Sequence, residues 1–490
     1  MMRTLLLLYS LCWGLGIYAQ SGNFEKHLGQ QRKEFEAYRR ERRSEFEEYR
    51  RKRNKEFADY LEKRWKEVEV HRGLVAPTIP KPFVPKPDEE KPDVKPAPEE
   101  FPIERVTPAP PVVPYVKPVK IDTPVEPVQD RRLDVPFYGS HYKIRMAEQC
   151  RISLSDVNPA GIAAGWRQIA VDESDPLVYD CQHIREQLQL CDYTYYLFVK
   201  QVATSALGTQ KSNEAVLLTG YILAQSGIDF RFALHGRCLE LALAFDVTVY
   251  RTSYYSIGKR RYYLMDCEHI DRIQIVQDAY SQDAGVCRLA FSTPMRLPLI
   301  AAEARPLISR KYPDMRVHVA TNKSLMEAYS KYPKVDWAIY ANTPMDETTA
   351  NKILPAFGNA IDGKSEEEAA DMILNFVQTA FTYGYDDEIW GEDRPFFADE
   401  TLFYPYSDCE DRAILFSQLI QRFTGLDVVL LHYPNHLATA VRFTRDFPGD
   451  YVMVDGYKYM VCDPTGYKPI GNAYDEFKNV KAKVIKLNNK

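Results

Sequence analysis

Seventeen of the chain's 32 prolines fall between residues 74 and 136. Proline has no backbone N–H and a fixed φ, so runs such as PKPFVPKPDEEKPDVKPAPEE are excluded from helix interiors and central strands. They favour extended polyproline II, which makes a semi-rigid spacer. The 490-residue chain is thereby expected to divide into a part before this segment and a globular part after it, which begins near Val135.

The part before the spacer has two sections. MMRTLLLLYSLCWGLGIYA reads as a secretory signal cut after Ala19, with an apolar run too short for a membrane anchor. Ser10 and Leu11 before Cys12 make a poor lipoprotein site. The mature chain is therefore expected to be exported (periplasm, cell surface or medium) with no transmembrane segment. Residues 20–73 are mostly charged, and Phe24, Phe35, Phe46, Phe57 and Val68 recur every 11 residues. Tyr38, Tyr49 and Tyr60 follow three residues behind the middle three. An 11-residue period is close to three helical turns, so one thin apolar stripe would run along a helix of roughly 75 Å. That stripe suits self-association or docking to an envelope partner; the alternative is a solvated single helix held by Glu–Arg and Glu–Lys pairs.

The formal net charge of −5 gives nucleic acid no support as a partner. Without Cys12 eight cysteines remain, too few for a disulfide scaffold in a chain of this length. Pairing among Cys150, Cys181, Cys191 and Cys287 stays open. No CxxC or HExxH spacing suggests zinc.

In SDCEDRAILFSQLIQRFTG, helical apolar spacing starts just after Cys409 at Ile414, Leu415, Leu419, Ile420 and Phe423, and Gly425 is a natural stop. Cys409 thus lies at a helix start, where the dipole favours a thiolate and Asp408 can cap. DVVLLHY, a Pro434-Asn435 turn and HLATAVRF form a predicted hairpin, and KYMVCD a later strand. His436 opens one strand and Asp463 closes another, each interval being 27 residues. Cys409, His436 and Asp463 can serve as nucleophile, base and orienting carboxylate, with the Cys409 N–H in an oxyanion hole. Singly, these residues are more often a structural thiol, a satisfied polar group and a turn. His432 is a competing base but precedes Pro434 at the end of its strand.

Taken in order, Cys409 with Asp411 and Ala413, then His436, then Asp463-Pro464-Thr465 resemble the core of the transglutaminase-like superfamily, whose fold is related to papain. The likeness covers residues 365–475. Leu437 and Ala438 replace the aromatic start that usually follows the histidine. The resemblance implies an α+β fold with a catalytic domain at 346–490. It also implies an exported cysteine hydrolase acting on peptide or amide bonds through a thioester. D-C-E-D is similar to a string in periplasmic peptidases of this type that need calcium, which makes Asp408, Glu410 and Asp411 candidate calcium ligands and leaves no other metal or cofactor expected. Trp390, Phe396 and Tyr406, in the acidic aromatic segment before Cys409, are candidates for one cleft wall, or for a loop packed on the core.

Shifted by 198 residues, Lys211–Phe245 overlies Cys409–Phe443 without a gap, with eight identities in 35 positions. Lys211 then falls on Cys409, Cys238 on His436, and Asp266 close to Asp463. A lysine and a cysteine cannot replace the nucleophile and base, so 137–285 is expected to be a degenerate domain of the same type, joined by a mixed segment at 286–345. Cys238 and Cys267 would lie near its dead site, close enough for a disulfide. The alternatives to a hydrolase are a non-enzymatic binding or assembly protein of the envelope and a crosslinking transglutaminase.

Overall fold

The computed structural model describes residues 22–79, 98–110, 131–209, 212–267, 270–278 and 284–488. The expected signal segment and most of the proline runs lie outside them. The protein is mixed α+β, and residues 1–63 and 64–490 form separate units. The first unit holds helix α1 (Gly22–Leu61), whose length is about 60 Å. Pairs such as Arg42–Glu45 and Arg53–Glu56 line it, and Phe35, Tyr38 and Tyr49 of the apolar stripe are exposed. No helix among the described residues is long and apolar enough to cross a membrane.

The second unit opens with strands β1 (Lys66–Glu69), β2 (Ile103–Thr107), β3 (Arg131–Phe137) and β4 (Ser140–Met146). Helices α2 (Pro159–Ile169), α3 (Asp175–Leu188), α4 (Asp192–Leu207) and α5 (Asn213–Gln225) follow. Next come β5 (Phe230–His235), β6 (Cys238–Leu243), β7 (Tyr254–Ile257), β8 (Arg260–Leu264) and β9 (Arg272–Ile275). The connecting region carries β10 (Arg305–Ile308), β11 (Arg316–Val319), α6 (Lys323–Ser330), α7 (Trp337–Asn342) and α8 (Glu347–Ile361). Then α9 (Glu366–Thr379), β12 (Thr382–Tyr383), α10 (Asp386–Trp390), α11 (Ala398–Phe403) and β13 (Tyr406–Ser407) lead to α12 (Cys409–Thr424). Strands β14 (Asp427–Tyr433), β15 (His436–Arg442), β16 (Tyr451–Val454), β17 (Tyr457–Cys462) and β18 (Ala482–Lys486) complete the chain.

Two six-stranded sheets dominate, ordered β7-β8-β6-β5-β9-β1 and β16-β17-β15-β14-β18-β2. The order is the same in both, and each sheet is preceded by one long apolar helix, α5 or α12. The hairpin registers also correspond: His235 faces Cys238 as Tyr433 faces His436. Ala242 pairs with Leu264 as Ala440 pairs with Val461, which aligns Asp266 with Asp463.

Both sheets close on themselves. His71, just past β1, exchanges hydrogen bonds of 2.7 and 3.0 Å with Tyr254 of β7. Phe101 N–H donates to Tyr451 O at 2.7 Å, and Tyr451 N–H to Glu99 O at 3.0 Å, which joins the start of β2 to β16. Inside the second barrel, alternate residues such as Leu431, Ala440, Val461 and Val484 pack with Phe101. In the first barrel Val68 and Val70 do the same with Ala233, Tyr255 and Leu264.

Barrel closure corrects two expected boundaries. The helix ends at Leu61, and Val68 lies in a strand, because Val68 and Val70 alternate into an apolar interior that a helix could not fill. The spacer contains β2, which pairs in parallel with β18. Its prolines flank the strand and leave Ile103–Thr107 free of them. If the spacer segment were only a tether, Phe101→Ala would be silent. Phe101 is 1% exposed, and the barrel predicts a loss of about 3–5 kcal/mol in urea unfolding.

Candidate functional site

Cys409 is the first residue of α12, with Asp408 at the N-cap and Gly425 ending the helix at φ 70°. Ile414, Leu415, Leu419 and Ile420 are buried, so the predicted apolar face is used and seats the helix start beside the β14–β15 hairpin. Helix α12 packs against β15, the strand that His436 opens. Pairing of Thr439 with Cys462 brings Asp463 to the His436 end of that strand. His436 Nε2 and Asp463 Oδ2 are 2.7 Å apart, so Nδ1 is the nitrogen that the carboxylate does not hold. The imidazole stacks on Phe477 at 5.1 Å.

The aspartate is itself fixed. Thr465 N–H donates to Asp463 Oδ1 at 3.0 Å, a local turn made by the D-P-T sequence. Gln378 Nε2 donates to the carbonyls of Asp463 and Lys468, both at 2.8 Å. Arg412 lies one helical turn beyond the thiol, and its guanidinium donates to the carbonyls of Thr465 and Phe381, both at 3.0 Å. Arg412 stood inside the D-C-E-D-R string, and its charge in an otherwise apolar face was the signal for a buried clamp. Gln378 and Phe477 carried no such signal, because their roles depend on distant segments.

Cys409 and His436 are 0% exposed and Asp463 3%. Cys409 Sγ donates to Glu410 Oε2 at 3.1 Å. Burial, then the charges of Glu410 and Asp408, raise the thiol well above its usual range. Desolvation and two adjacent carboxylates thus oppose the thiolate expected at a helix start.

Those carboxylates are part of a larger group. Oxygens of Asp386, Asp408 and Asp411 lie within 4.8 Å of one another, as do ligand atoms of Asp408, Cys409 and Glu410. Asp411 accepts from the Phe396 N–H at 2.8 Å and the Asp408 N–H at 3.3 Å. Asp386 accepts from the Arg394 N–H at 2.6 Å. Asp408 Oδ1 and Glu410 Oε1 are buried with no hydrogen-bond partner among the described residues. Burial first, then mutual repulsion, raises Asp408, Glu410 and Asp411. Crowded hard oxygens with unsatisfied lone pairs fit a calcium ion. Asp386, 22 positions before Asp408, was not among the sequence candidates, and only the folding back of α10 adds it.

The remaining candidates are placed differently. His432 faces Leu437 across the ladder and packs edge-on against Trp337 at 4.8 Å, away from any catalytic partner. The Arg394 guanidinium lies 4.4 Å from the Trp390 ring and 5.1 Å from the Phe396 ring, two rings that meet edge-on, and Tyr406 lies 6.4 Å from Trp390. Phe396 is fully buried and packs in the core, whereas Trp390 and Tyr406 are half-buried. In the first barrel Lys211 lies outside the described residues. Cys238 is an exposed free thiol, whereas Cys267 is buried in the barrel cluster, so the anticipated bridge is not formed. Cys181, Cys191 and Cys287 are also free, and Cys150 Sγ donates to Ser174 Oγ at 3.3 Å. Asp266 accepts from Tyr196 O–H at 3.0 Å and pairs with Lys200. The Leu239 N–H, equivalent to that of Leu437, is taken by Asn213 Oδ1 at 2.7 Å.

No protein family, curated protein or solved structure matches the chain.

The acids set a pH dependence. Burial raises Asp399 and Glu400 to about 7, in the same direction as the cluster. Unfolded carboxyls titrate near 4. Their stabilising share is full below that value and is lost as pH rises through about 7, because the folded state binds more protons in that window. In chelator, Tm should fall by more than about 5 °C from pH 5 to pH 8, and millimolar calcium should recover it at pH 8. A Tm indifferent to both would show that the cluster is neutralised in another way.

Proposed function

We propose that the chain is an exported cysteine hydrolase of the transglutaminase-like type, with Cys409 as nucleophile, His436 as general base and Asp463 as the group that orients it. The observation that carries this reading is the buried His436–Asp463 pair, 2.7 Å apart, at the start of the strand against which the Cys409 helix packs. Asp463 holds Nε2, so the proton passes between the thiol and Nδ1. The substrate carbonyl oxygen would be met by the Cys409 N–H, one of the first-turn amides that have no intrahelical partner. Because burial keeps the sulfur protonated at rest, deprotonation accompanies attack on the amide carbonyl. The amine leaves with the proton from His436, and water then resolves the thioester. Calcium held by Asp386, Asp408 and Asp411, with Glu410 on the thiol side, would supply positive charge that makes the thiolate less costly.

On this reading the first barrel is a degenerate copy. Its equivalent of the catalytic carboxylate is captured by Lys200, and its free hairpin N–H by Asn213. Full burial of the triad favours a rival, a binding or assembly protein that uses the exposed stripe of α1. Crosslinking is the third reading, and product mass separates it: hydrolysis adds water, whereas transfer to an amine releases ammonia.

The test combines labelling with turnover. Alkylation of Cys409 followed by peptide mapping should be slow at neutral pH and faster in Glu410→Gln. Cleavage of a peptide library should vanish in Cys409→Ala. It should fall at least about 10³-fold in His436→Ala and about 10²–10⁴-fold in Asp463→Asn. Turnover that survives Cys409→Ala, or a Cys409 that stays inert in every variant, would end the hydrolase reading.

A further inference from the structure

The two barrels face each other across a cleft of about 1090 Å³ that none of the roles above uses. One wall is the second barrel. In its ladders Arg105 on β2 lies opposite Lys483 on β18, and Lys483 lies opposite His432 on β14. Three basic side chains thus form one row across three adjacent strands. All three line the cleft. Like charges directly opposite in a ladder are destabilising, and neither Arg105 nor Lys483 has a carboxylate partner among the described ion pairs. The opposite wall is the β7–β8 hairpin of the first barrel, which adds Lys259 and Arg261. Two acids reach the cleft: Asp336, which accepts from Tyr250 O–H at 2.7 Å, and Asp246. The balance is basic. Trp337 gives the floor an apolar surface beside His432.

The row has a direction. The next strand after β14 is β15, and the residue opposite His432 is Leu437, which follows His436 directly. From this geometry we infer that the cleft binds an extended acidic segment of the polypeptide substrate, laid across the strands with its carboxylates on Arg105 and Lys483. The inference rests on the hydrolase reading for its choice of polypeptide. At about 4.8 Å per strand, Lys483 and Arg105 lie two and three strands from Leu437, or about 10 and 15 Å. Extended chain advances about 3.4 Å per residue, so Asp or Glu should sit about three to four residues from the cleaved amide. The crowding is felt by His432, which burial, then Lys483 and Arg105, lower to about 4. It remains neutral there and adds no charge of its own.

Binding is measured on the full chain carrying Cys409→Ala, by fluorescence anisotropy with short labelled peptides at low salt. One peptide has Glu at alternate positions and the other has Gln in their place. The acidic peptide should bind at least about tenfold tighter, and Arg105→Glu or Lys483→Glu should each weaken it by about fivefold or more. Both positions reach solvent, and circular dichroism checks that each variant is folded. Equal affinity for the two peptides, or no effect of either reversal, overturns the inference. So does tighter binding of an oligophosphate or an RNA oligomer than of the acidic peptide. Charge-dependent binding in a wild-type chain that cleaves nothing would end the hydrolase reading and leave the cleft as an acidic-peptide site. Cleavage by wild type that ignores peptide charge would end the cleft assignment and leave the hydrolase.

Discussion

Each barrel depends on a strand supplied from outside its own contiguous sequence. Residues 66–71 complete the first, and 99–107 complete the second more than three hundred residues before its other strands begin. A sheet of five strands would leave the outer edge of β18 or β9 unpaired and its interior open on one side. The donated strands satisfy those backbone groups and bring Val68, Val70 and Phe101 into the apolar interiors. The position of α12, and so of Cys409, follows from the second barrel being closed and rigid. The proline-rich segment has a structural task beyond spacing: it carries β2 to the second barrel, whereas β1 of the first barrel comes from the charged segment before it.

Electrostatics at the site run against simple expectation. A helix N-terminus favours negative charge by a few tenths to one kcal/mol when exposed. Removing several carboxylates from water at one point costs more than that, and their repulsion is strong at low dielectric. Arg412 follows the cluster directly in α12, but its donors are spent on carbonyls and on Ser407 Oγ at 3.1 Å. It holds the Asp463 loop more than it neutralises the cluster. The result is a buried cysteine for which the thiolate is costly.

The two barrels share a frame and differ in their polar groups. Strand order, hairpin register and the preceding helix correspond, since these need apolar residues at alternating and helical positions and little else. The polar positions have diverged. In the first barrel the Leu239 N–H is taken by Asn213. Where the second pairs an aspartate with an imidazole, the first pairs it with Lys200. A fold of this kind does not carry its function with it.

Periodicity alone determined much of this protein. The apolar spacing after Cys409 and the Gly425 stop defined α12, and alternation with a Pro-Asn turn defined the β14–β15 hairpin. The order Cys409, His436, Asp463 was legible because each stands at an element boundary, where local sequence is most informative. The end of α1 was not. Residues 62–71 continue the helical repeat by pattern, and only the need of a distant barrel for a sixth strand puts Val68 into a strand and packs Val70 beside it. Asp386, Gln378 and the row Arg105–Lys483–His432 were equally hidden, because strand pairing sets residues side by side across hundreds of positions. Sequence fixes what each segment prefers locally. Which segments meet, and so whether a cysteine among acids is held as thiol or thiolate, is decided by burial and by long-range pairing that no local pattern records.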